Sequence, residues 1–464
     1  MSAASDTTLL HGWGRTAPTR AWVTSATGLD DIVDAVRSAP DRGVVARGLG
    51  RSYGDPAQNA GGTVLDMTRL RGIRRVDVDA AVVEVEAGTS LDELLRVLFG
   101  VGLTLPVQPG TRQVSVGGAI GADIHGKNHH VTGSFGRHVR WIDLLTADGE
   151  VRCLGPDGPD PELFWGTVGG MGLTGVVLRA ELSVRRVETS SVVVTSERYD
   201  HLDDVMDALI RLDDEAEYSV AWFDSISRGR HAGRGVVLSG HDARLDELPK
   251  GLRRSPFAVP PARSVTVPLV PPVSLVNRLS GRTFNELWFR KSPRRPTTGV
   301  EHAFGFFQPL DGIASWNRLY GPSGLAQYQL AVPHDAAAVI HEIVAAVAAS
   351  GHVSCLNVLK RFGPGTPSPL SFPMPGWTLA LDLPVAPGLD GLLDRLDAMV
   401  LEVGGRVYLA KDSRIPARHL AAMYPDLARF EALRERVDPH GRFRSDLGRR
   451  LGLVPSHPRI EAHT

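Results

Sequence analysis

The stretch Asp123-Ile-His-Gly-Lys-Asn-His-His130 places three histidines, a lysine and an aspartate within eight residues. Such residues can bind a metal ion or move protons. A zinc site needs three or four ligands that converge, whereas adjacent histidines on an extended chain, such as His129 and His130, point in opposite directions. We therefore expect no metal site, and two interpretations remain: a surface loop, or the lining of a ligand site.

The chain before this stretch contains a glycine-rich loop that follows a β-branched run. Gly48 and Gly50 come directly after Val44-Val45, as in the first turn of a dinucleotide-binding fold. That fold needs a helix to begin at once, and the continuation Gly54-Asp-Pro-Ala-Gln-Asn-Ala-Gly-Gly62 cannot form one. What remains is a loop of consecutive backbone N–H groups, which can surround phosphate oxygens.

Two further loops have the same composition. Residues 109–122 lead directly into the histidine stretch, and residues 167–176 repeat the pattern. Their glycines and alanines leave little side-chain bulk, which suits close approach of the backbone to a large flat ligand. Each loop alone could be an ordinary turn. Three in one domain, each beside a predicted strand, favour a long cofactor held between loops.

The size and composition of the chain limit its class. At 464 residues it is too long for one ordinary core and predicts two domains. A net charge of −1 gives no general attraction to nucleic acid. The two cysteines, Cys153 and Cys355, form no disulfide framework. No apolar run reaches the ~18 residues of a membrane span, and the N-terminus MSAASDTTLLHGWGR lacks the basic start and apolar core of a secretory signal.

Hydrophobic patterning predicts both helices and strands. The predicted strands are 44–46, 63–65, 82–85, 176–178 and 218–223, and the predicted helices are 90–98 with Ser90 as N-cap, 198–216 and 336–349. A charged helical tail is expected after residue 412. The pattern is typical of an α+β protein.

Residues 250–295 differ from the rest, with ten basic residues, one acid and seven prolines among apolar side chains such as Phe257 and Trp288. Prolines at this density are expected to exclude a central strand or a long helix. Two interpretations stay open. The segment is a mobile solvated loop, or it is a cationic flap that touches an anionic lipid surface or a lipid-phosphate substrate.

The three glycine loops and the histidine stretch resemble the FAD domain of the vanillyl-alcohol-oxidase type of flavoenzymes. Several members carry a histidine in the first loop that bonds covalently to the flavin. Arg51 stands at that position here, so the resemblance implies non-covalent FAD. It also implies a two-domain PCMH-type α+β fold. Residues 1–189 and a returning segment 406–464 would bind FAD, and residues 190–405 would bind substrate on an antiparallel sheet, with a mobile basic loop at about 241–300.

Further motifs narrow the resemblance to the decaprenylphosphoryl-ribose oxidase family. They are HGWGRTAP at 11–18, DIHGKNHH at 123–130, LLTADGE at 144–150, AWFD at 221–224, YGPSGLAQYQ at 320–329, SFPMPGW at 371–377 and YLAKDSR at 408–414. The match is weak across 240–300. It also departs at Thr378-Leu-Ala380, where the family is expected to have a polar residue and a cysteine.

This family oxidises the 2′-hydroxyl of a polyprenylphosphoryl ribose to a keto sugar. The resemblance therefore implies the first half of an epimerase reaction that supplies arabinose for cell-wall arabinan, completed by a separate NAD(P)H-dependent reductase. The cationic flap predicts peripheral membrane association, and the lack of an evident signal favours the cytoplasmic face over the periplasmic one. Two alternatives remain: a soluble sugar, alditol or aldonolactone oxidase of the same fold, and a non-catalytic flavin-binding scaffold.

The resemblance also implies which residues contact FAD. They are Ala46, Arg47, Gly48, Leu49, Gly50, Arg51, Ser52, Tyr53, Gly54, Asp55, Pro56, Gly110, Ser115, Val116, Gly117, Gly118, Ala122, Asp123, Ile124, His125, Val176 and Tyr408.

Flavin-dependent oxidation of an alcohol needs a group that accepts the hydroxyl proton and a positive charge near the flavin. Lys411 is the first candidate, provided that burial or nearby cations lower its pKa; alternatively it is a surface lysine paired with Asp412. His125 and Tyr53 are further catalytic candidates. The substrate candidates are Lys127 and Lys360 as cations for the phosphate, Gln327 and Gln329 on one strand face for the ribose hydroxyls, and Lys411 itself.

Overall fold

The computed structural model describes residues 7–261 and 264–454. Predictions for residues 1–6 at the N-terminus, for 262–263 in the basic segment and for 455–464 in the returning segment lie outside the described residues.

The strands are β1 (Thr8–Leu10), β2 (Thr19–Ser25), β3 (Val44–Arg47), β4 (Thr63–Asp66), β5 (Ile73–Asp77), β6 (Val82–Glu86), β7 (Leu103–Thr104), β8 (Val139–Leu145), β9 (Val151–Leu154), β10 (Val176–Ser183), β11 (Arg185–Arg186), β12 (Ser191–Tyr199), β13 (Tyr218–Phe223), β14 (Gly235–Asp242), β15 (Val265–Thr266), β16 (Thr297–His302), β17 (Ile313–Ala314), β18 (Leu325–Val332), β19 (Asn357–Phe362), β20 (Gly376–Pro384) and β21 (Arg406–Val407).

The helices are α1 (Leu29–Arg37), α2 (Leu91–Gly100), α3 (Val116–Gly121), α4 (His129–Thr132), α5 (Pro161–Thr167), α6 (Leu202–Glu215), α7 (Arg278–Lys291), α8 (Ala303–Phe307), α9 (Ala337–Ser350), α10 (Leu389–Glu402), α11 (Ala417–Met423), α12 (Leu427–Val437) and α13 (Asp446–Arg450).

Three sheets organise the chain. A four-stranded sheet has the order β1-β2-β4-β3, with β2, β4 and β3 parallel. A five-stranded antiparallel sheet has the order β5-β6-β10-β8-β9. The third, an eight-stranded antiparallel sheet, has the order β16-β12-β14-β13-β19-β20-β18-β21. The first two sheets are built from residues 8–183 and the third from residues 191–407, which separates the two parts of the fold.

The eight-stranded sheet buries one face against helices. In β20, Leu379, Leu381 and Leu383 are buried in the same apolar cluster as Ile340 of α9 and Leu396 of α10. Alternate residues of a strand point to opposite faces. The intervening positions of β20 therefore point to the other face, away from this cluster.

The C-terminal segment packs against the four-stranded sheet. Phe443 forms a parallel bridge with Val44 of β3. The Asp446 carboxylate accepts hydrogen bonds from the Thr19 hydroxyl at 3.0 Å and from the Ala60 N–H at 2.9 Å. Arg450 pairs with Asp55 at 2.8 Å. These contacts join the two ends of the described chain around the first glycine loop.

Most predicted elements are present, and Ser90 caps α2 in a capping box with Glu93. The helix predicted from residue 198 begins only at Leu202, so that prediction was wrong at its start. Arg198 belongs to β12, where it pairs with Val236 of β14. The β-branched run at the beginning of β12 extends the pairing through Tyr199 because it favours the sheet.

The prediction that the basic proline-rich segment contains no long helix is wrong. Its prolines lie at or before Pro272 and at Pro293, so that residues 273–292 contain none, and α7 forms there. The Asn277 side chain caps this helix by accepting hydrogen bonds from the N–H groups of Leu279 and Ser280 at 3.0 and 3.2 Å. Clustering of prolines, not their average density, therefore decides where a helix can form.

None of the described helices is long and apolar enough to cross a membrane.

Candidate active site

A row of polar side chains lies on the face of the eight-stranded sheet opposite its helices. The strand register places them together, because residues directly opposite each other in antiparallel strands share a face. The polar residues on this face are Gln327, Gln329, Lys360, Thr378 and Asp382, and Ala380 lies among them. The prediction that Gln327 and Gln329 share one face of a strand is confirmed.

His125 from the opening stretch sits against this face. Its Nε2 atom lies 3.0 Å from the Gln329 amide nitrogen, and its Nδ1 atom lies 3.2 Å from Lys360 Nζ. The ring also packs edge-on to Phe362, with 4.8 Å between ring centres. Burial, followed by the charge of Lys360, lowers the pKa of His125 well below its ordinary value. The imidazole is therefore held neutral and positioned from two sides.

Lysines are scarce in the chain, yet three of the five, Lys127, Lys360 and Lys411, converge here. The five lysines are Lys127, Lys250, Lys291, Lys360 and Lys411. Burial lowers the pKa of both Lys127 and Lys360 to about 7. Lys127 Nζ donates to the Phe306 carbonyl and lies 3.9 Å from the centre of the Phe306 ring. Lysine differs from arginine in that burial can neutralise it, so these positions can exchange protons near neutral pH.

Lys411 approaches from the C-terminal segment. Its Nζ atom lies 4.2 Å from the centre of the Tyr53 ring, in the first glycine loop. Burial lowers the Lys411 pKa, and the negative charge of Asp382 opposes that shift. The alternative of a surface lysine paired with Asp412 is wrong, because the Asp412 carboxylate pairs with Arg450 at 2.8 Å.

An aromatic group fixes the C-terminal segment to the histidine stretch. The Tyr408 hydroxyl donates a hydrogen bond of 2.7 Å to the carbonyl of Ala122. The Tyr408 ring stacks on Phe372 with 4.5 Å between centres and 18° between planes. The Tyr53 N–H donates to the Ala410 carbonyl at 3.0 Å. The backbone immediately before Lys411 is thus anchored at Tyr408 and at Ala410.

The glycine loops provide a cradle that suits a dinucleotide. Within residues 7–261 and 264–454, the backbone N–H groups of residues 48–52 donate to no protein acceptor. A methyl group on Gly48 would lie 3.0 Å from the Ser115 Cβ, which shows that the first and second loops are in contact. A methyl group on Gly110, in the second loop, would meet no atom within 4 Å. Phosphate oxygens need free N–H donors, and a flat ring needs open space beside the backbone. The residues therefore fit FAD.

Arg51 adds a cation to the cradle, at the position where a covalently bonded relative would carry histidine. Its guanidinium stacks on Trp13 with 3.9 Å to the ring centre. Its buried Nε has no hydrogen-bond partner within the described part of the chain. An arginine cannot form the histidine–flavin bond, and its unpaired donor suits an anionic or carbonyl oxygen of the cofactor.

Two residues predicted to contact FAD, Asp55 and Asp123, have carboxylates that bond to other protein groups. The Asp123 carboxylate accepts hydrogen bonds from Ser134 at 2.8 Å, Ser371 at 2.5 Å and the Gly136 N–H at 2.9 Å. Asp55 is paired with Arg450. The carboxylates of Asp55 and Asp123 therefore stabilise the loops through protein contacts. Only the backbone of each residue remains available to a cofactor.

The two adjacent histidines do not lie on an extended chain, which corrects the geometry assumed from the sequence. They open the one-turn helix α4. His129 Nδ1 accepts a hydrogen bond from the Gly363 N–H at 3.2 Å, and His130 Nε2 lies 3.0 Å from the Ala216 carbonyl. Their rings face different partners, and the described residues include no group of three His, Cys, Asp or Glu side chains suited to a metal ion.

Sequence reasoning missed Asp382, Phe362 and Phe372. Asp382 lies in Leu381-Asp-Leu383, and an aspartate between two core leucines of a strand is an unusual signal that could have drawn attention to it. The two phenylalanines gave no signal, because aromatic residues in strands and turns are ordinary core residues.

Comparisons with known proteins agree with this geometry. Residues 21–155 match the FAD binding domain family, and residues 388–451 match the family of D-arabinono-1,4-lactone oxidase. The chain is 48% identical over 455 residues to the decaprenylphosphoryl-β-D-ribose oxidase of Mycolicibacterium smegmatis. The aligned region covers 97% of this chain and 98% of that protein. It is 42% identical over 372 residues to an uncharacterized protein of Streptomyces coelicolor, covering 78% of this chain and all of that one.

A more distant relative is the alditol oxidase of Streptomyces sp., 29% identical over 426 residues, with 89% of this chain and 91% of that enzyme covered. These matches confirm the predicted two-domain α+β FAD-binding fold, and they establish FAD as the cofactor of an oxidoreductase acting on CH–OH groups.

Proposed function

The chain belongs to the family of decaprenylphosphoryl-β-D-ribose oxidases, and from that membership we propose that it oxidises the 2′-hydroxyl of decaprenylphosphoryl-β-D-ribose to the 2′-keto sugar. The observation that carries this proposal is that Lys127 and Lys411 lie near enough to Lys360 to lower its pKa, while Lys411 contacts the Tyr53 ring of the first glycine loop. One cation can accept a proton, and the other two can bind a phosphate.

Lys127 and Lys360 are the candidate phosphate ligands. Burial brings the pKa of both lysines to about 7, and the charge of Lys127 further lowers the pKa of Lys360. A bound phosphate would raise both pKa values again because an anion stabilises the ammonium form. The site therefore favours a phosphorylated sugar over a neutral one.

The sugar itself would meet the polar face of the sheet. Gln329 and the neutral His125 are hydrogen-bonded to each other, and Gln327 is held by Asp382, so their remaining donors and acceptors are fixed for ribose hydroxyls. Bound FAD would supply the hydride acceptor for the carbon that carries the hydroxyl. Lys411 is placed to take the hydroxyl proton, and we propose that it does so.

The decisive test is anaerobic mixing of purified holoenzyme with a short-chain prenylphosphoryl ribose while flavin absorbance is followed. We expect bleaching of the oxidised band by this substrate and none by free ribose or alditols. Bleaching by free sugars instead would assign the protein to soluble oxidases such as the alditol oxidase relative. No bleaching by any of them would contradict the proposed reaction.

We further propose that the reaction is the first half of an epimerisation that leads to an arabinose donor for cell-wall arabinan. A 2′-ketone that is reduced again from the opposite face gives the inverted hydroxyl. A separate NAD(P)H-dependent reductase would supply that second step.

We also propose that the protein rests on an anionic membrane surface through α7 and the segment before it. Gly281, Asn285 and Phe289 form the narrow buried face of α7. Leu279 and Leu287, on the outer face, are 78% and 64% exposed. Exposed apolar side chains among cations suit a bilayer with anionic headgroups, and a polyprenyl substrate resides in such a bilayer.

Vesicle sedimentation checks this surface. We expect binding to vesicles with anionic lipid and a loss of about tenfold or more in the partition coefficient for the double variant Leu279→Ser, Leu287→Ser, because each leucine contributes roughly 1.5–3 kcal/mol on full burial. Val97→Ser, Ile210→Ser is the matched control, since both residues are exposed apolar positions on other helices. Equal binding of the two double variants would refute the membrane surface.

A further inference from the structure

A chain of hydrogen bonds runs from the backbone of β18 to the side chain of Lys360. The Thr378 hydroxyl donates to the Leu330 carbonyl at 2.8 Å, and the Gln329 amide nitrogen lies 3.4 Å from the same hydroxyl oxygen. That amide nitrogen also lies 3.0 Å from His125 Nε2. His125 Nδ1 in turn lies 3.2 Å from Lys360 Nζ. Each link in the chain is therefore a direct contact between polar atoms.

The direction of each hydrogen bond follows from the Thr378 hydroxyl. A hydroxyl has one proton, and this one is used on the Leu330 carbonyl, so the Thr378 oxygen can only accept from Gln329. The Gln329 amide therefore turns its NH2 group, and not its oxygen, toward Thr378 and toward His125 Nε2. Because His125 Nε2 accepts a hydrogen bond, the proton of the neutral imidazole is on Nδ1.

The proton on His125 Nδ1 decides the state of Lys360. An ammonium group has three donors and no acceptor, so it cannot accept a hydrogen bond from an N–H group. A neutral amine can accept from His125 Nδ1 through its lone pair and still donate to the Gly126 carbonyl, 3.2 Å away. The hydrogen bonds therefore hold Lys360 as a neutral amine. Its exposure of only 9% agrees with this, because burial disfavours the charged form.

The charged groups around Lys360 also favour the neutral amine. Burial, followed by the positive charges of Lys127 and Lys411, lowers the pKa of Lys360 to about 7. The other titratable groups beside this chain are His129 and Asp382. Burial lowers the pKa of His129 to about 3, so it adds no positive charge, and Asp382 lies on the same face of the sheet.

We propose that Thr378 is a positioning residue that acts through Gln329 and His125 to hold Lys360 as a neutral amine until an anion binds beside it. The same side chains then reverse their hydrogen bonds, and Lys360 gains a proton. The identity of the anion as the substrate phosphate rests on the proposed function, whereas the direction of the hydrogen bonds does not.

The reversal conserves atoms and charge. The His125 Nδ1 proton moves to Lys360 Nζ, and His125 Nε2 takes one proton from the solvent. The Gln329 amide rotates so that its oxygen accepts from His125 Nε2, and the Thr378 hydroxyl rotates to donate to that oxygen. A hydroxyl can both donate and accept, which an alkyl side chain cannot. Binding of one anion is therefore accompanied by the uptake of one proton.

Thr378→Val tests the chain without turnover, because it removes the hydroxyl and nearly keeps the shape. Gln329 is then free to turn its oxygen to His125, which makes the ammonium form of Lys360 accessible without an anion. Holoenzyme labelled with 13C at lysine Cε has five lysine signals, and that of Lys360 is assigned by its absence in Lys360→Met. We expect the Lys360 titration midpoint to rise by about one pH unit or more in Thr378→Val. Thr378→Ser keeps the hydroxyl and should leave the midpoint unmoved.

Thr189→Val is the matched control. Thr189 is also 1% exposed, and its hydroxyl likewise donates to a backbone carbonyl, that of Ala243 at 2.8 Å, while it accepts from the Ser191 N–H at 3.1 Å. An unmoved Lys360 midpoint in Thr378→Val, or an equal shift in Thr189→Val, would overturn the inference. So would a 15N spectrum of the wild-type holoenzyme that places the His125 proton on Nε2 at a pH above the Lys360 midpoint.

Calorimetry in buffers of different ionisation enthalpy measures the proton uptake. A short-chain prenylphosphoryl ribose is titrated into holoenzyme at about one pH unit above the wild-type Lys360 midpoint, where Lys360 is about nine-tenths neutral. We expect less uptake in Thr378→Val than in the wild type, because Lys360 is then already partly protonated; Lys127 contributes equally to both. Equal uptake would contradict the link to anion binding. A shifted midpoint with no binding of this ligand would support the chain and contradict only the proposed substrate.

Discussion

Replacing Lys411 by methionine is expected to lower the rate constant of flavin reduction by the substrate about 1,000-fold, the middle of the range for loss of a general base. Methionine fills similar space beside Tyr53 but cannot accept a proton. FAD should remain bound, because the cradle of residues 48–52 and the Tyr408 contact to Ala122 are untouched.

Anaerobic stopped-flow absorbance measures this rate at saturating substrate. Lys250→Met is the control, since Lys250 is exposed and should change nothing. Lys360→Met should instead raise the substrate dissociation constant, because Lys360 is a proposed phosphate ligand. A loss below tenfold for Lys411→Met would remove Lys411 from the role of proton acceptor.

The second large effect is expected from Gly54→Ala. A methyl group on Gly54 would overlap the carbonyl oxygen of Asp412 and lie 2.7 Å from its carbonyl carbon. The first glycine loop would have to withdraw from the C-terminal segment, which would weaken the Tyr53–Ala410 hydrogen bond and the Asp55–Arg450 pair. We expect the free energy of unfolding to fall by about 3 kcal/mol and the purified protein to lose most of its FAD.

Urea unfolding and the ratio of flavin to protein absorbance test this expectation. Gly28→Ala is the control, because a methyl group there meets no atom within 4 Å. If Gly54→Ala retained FAD and stability like the control, the contact between the loop and the C-terminal segment would not be needed for cofactor binding.

Local features were predictable where the sequence carries a local signal. The β-branched runs of β3, β4 and β6 and the Ser90 cap of α2 depend on neighbouring residues and were confirmed. The helix α7 was missed because proline density was averaged over a segment whose prolines cluster at its two ends. The proposed domain boundaries at 189 and 405 stay predictions.

The site was less predictable because strand pairing assembles it. Lys360 and Asp382 join Gln327 only through the register of β18, β19 and β20. No short stretch of the sequence shows how these distant strands pair. Lys411 was identified through resemblance and chemical need, whereas its contact with the Tyr53 ring required the folded arrangement.

The pairing of Val44 with Phe443 and of Asp55 with Arg450 also bears on how the protein is made. Asp55 and Arg450 are separated by 395 positions. At a ribosomal rate of about 5–20 residues per second, the first loop waits roughly 20 to 80 s for its partner. Stable capture of FAD is therefore expected only after the segment around Arg450 has been synthesised, and the nascent N-terminal part must remain unaggregated until then.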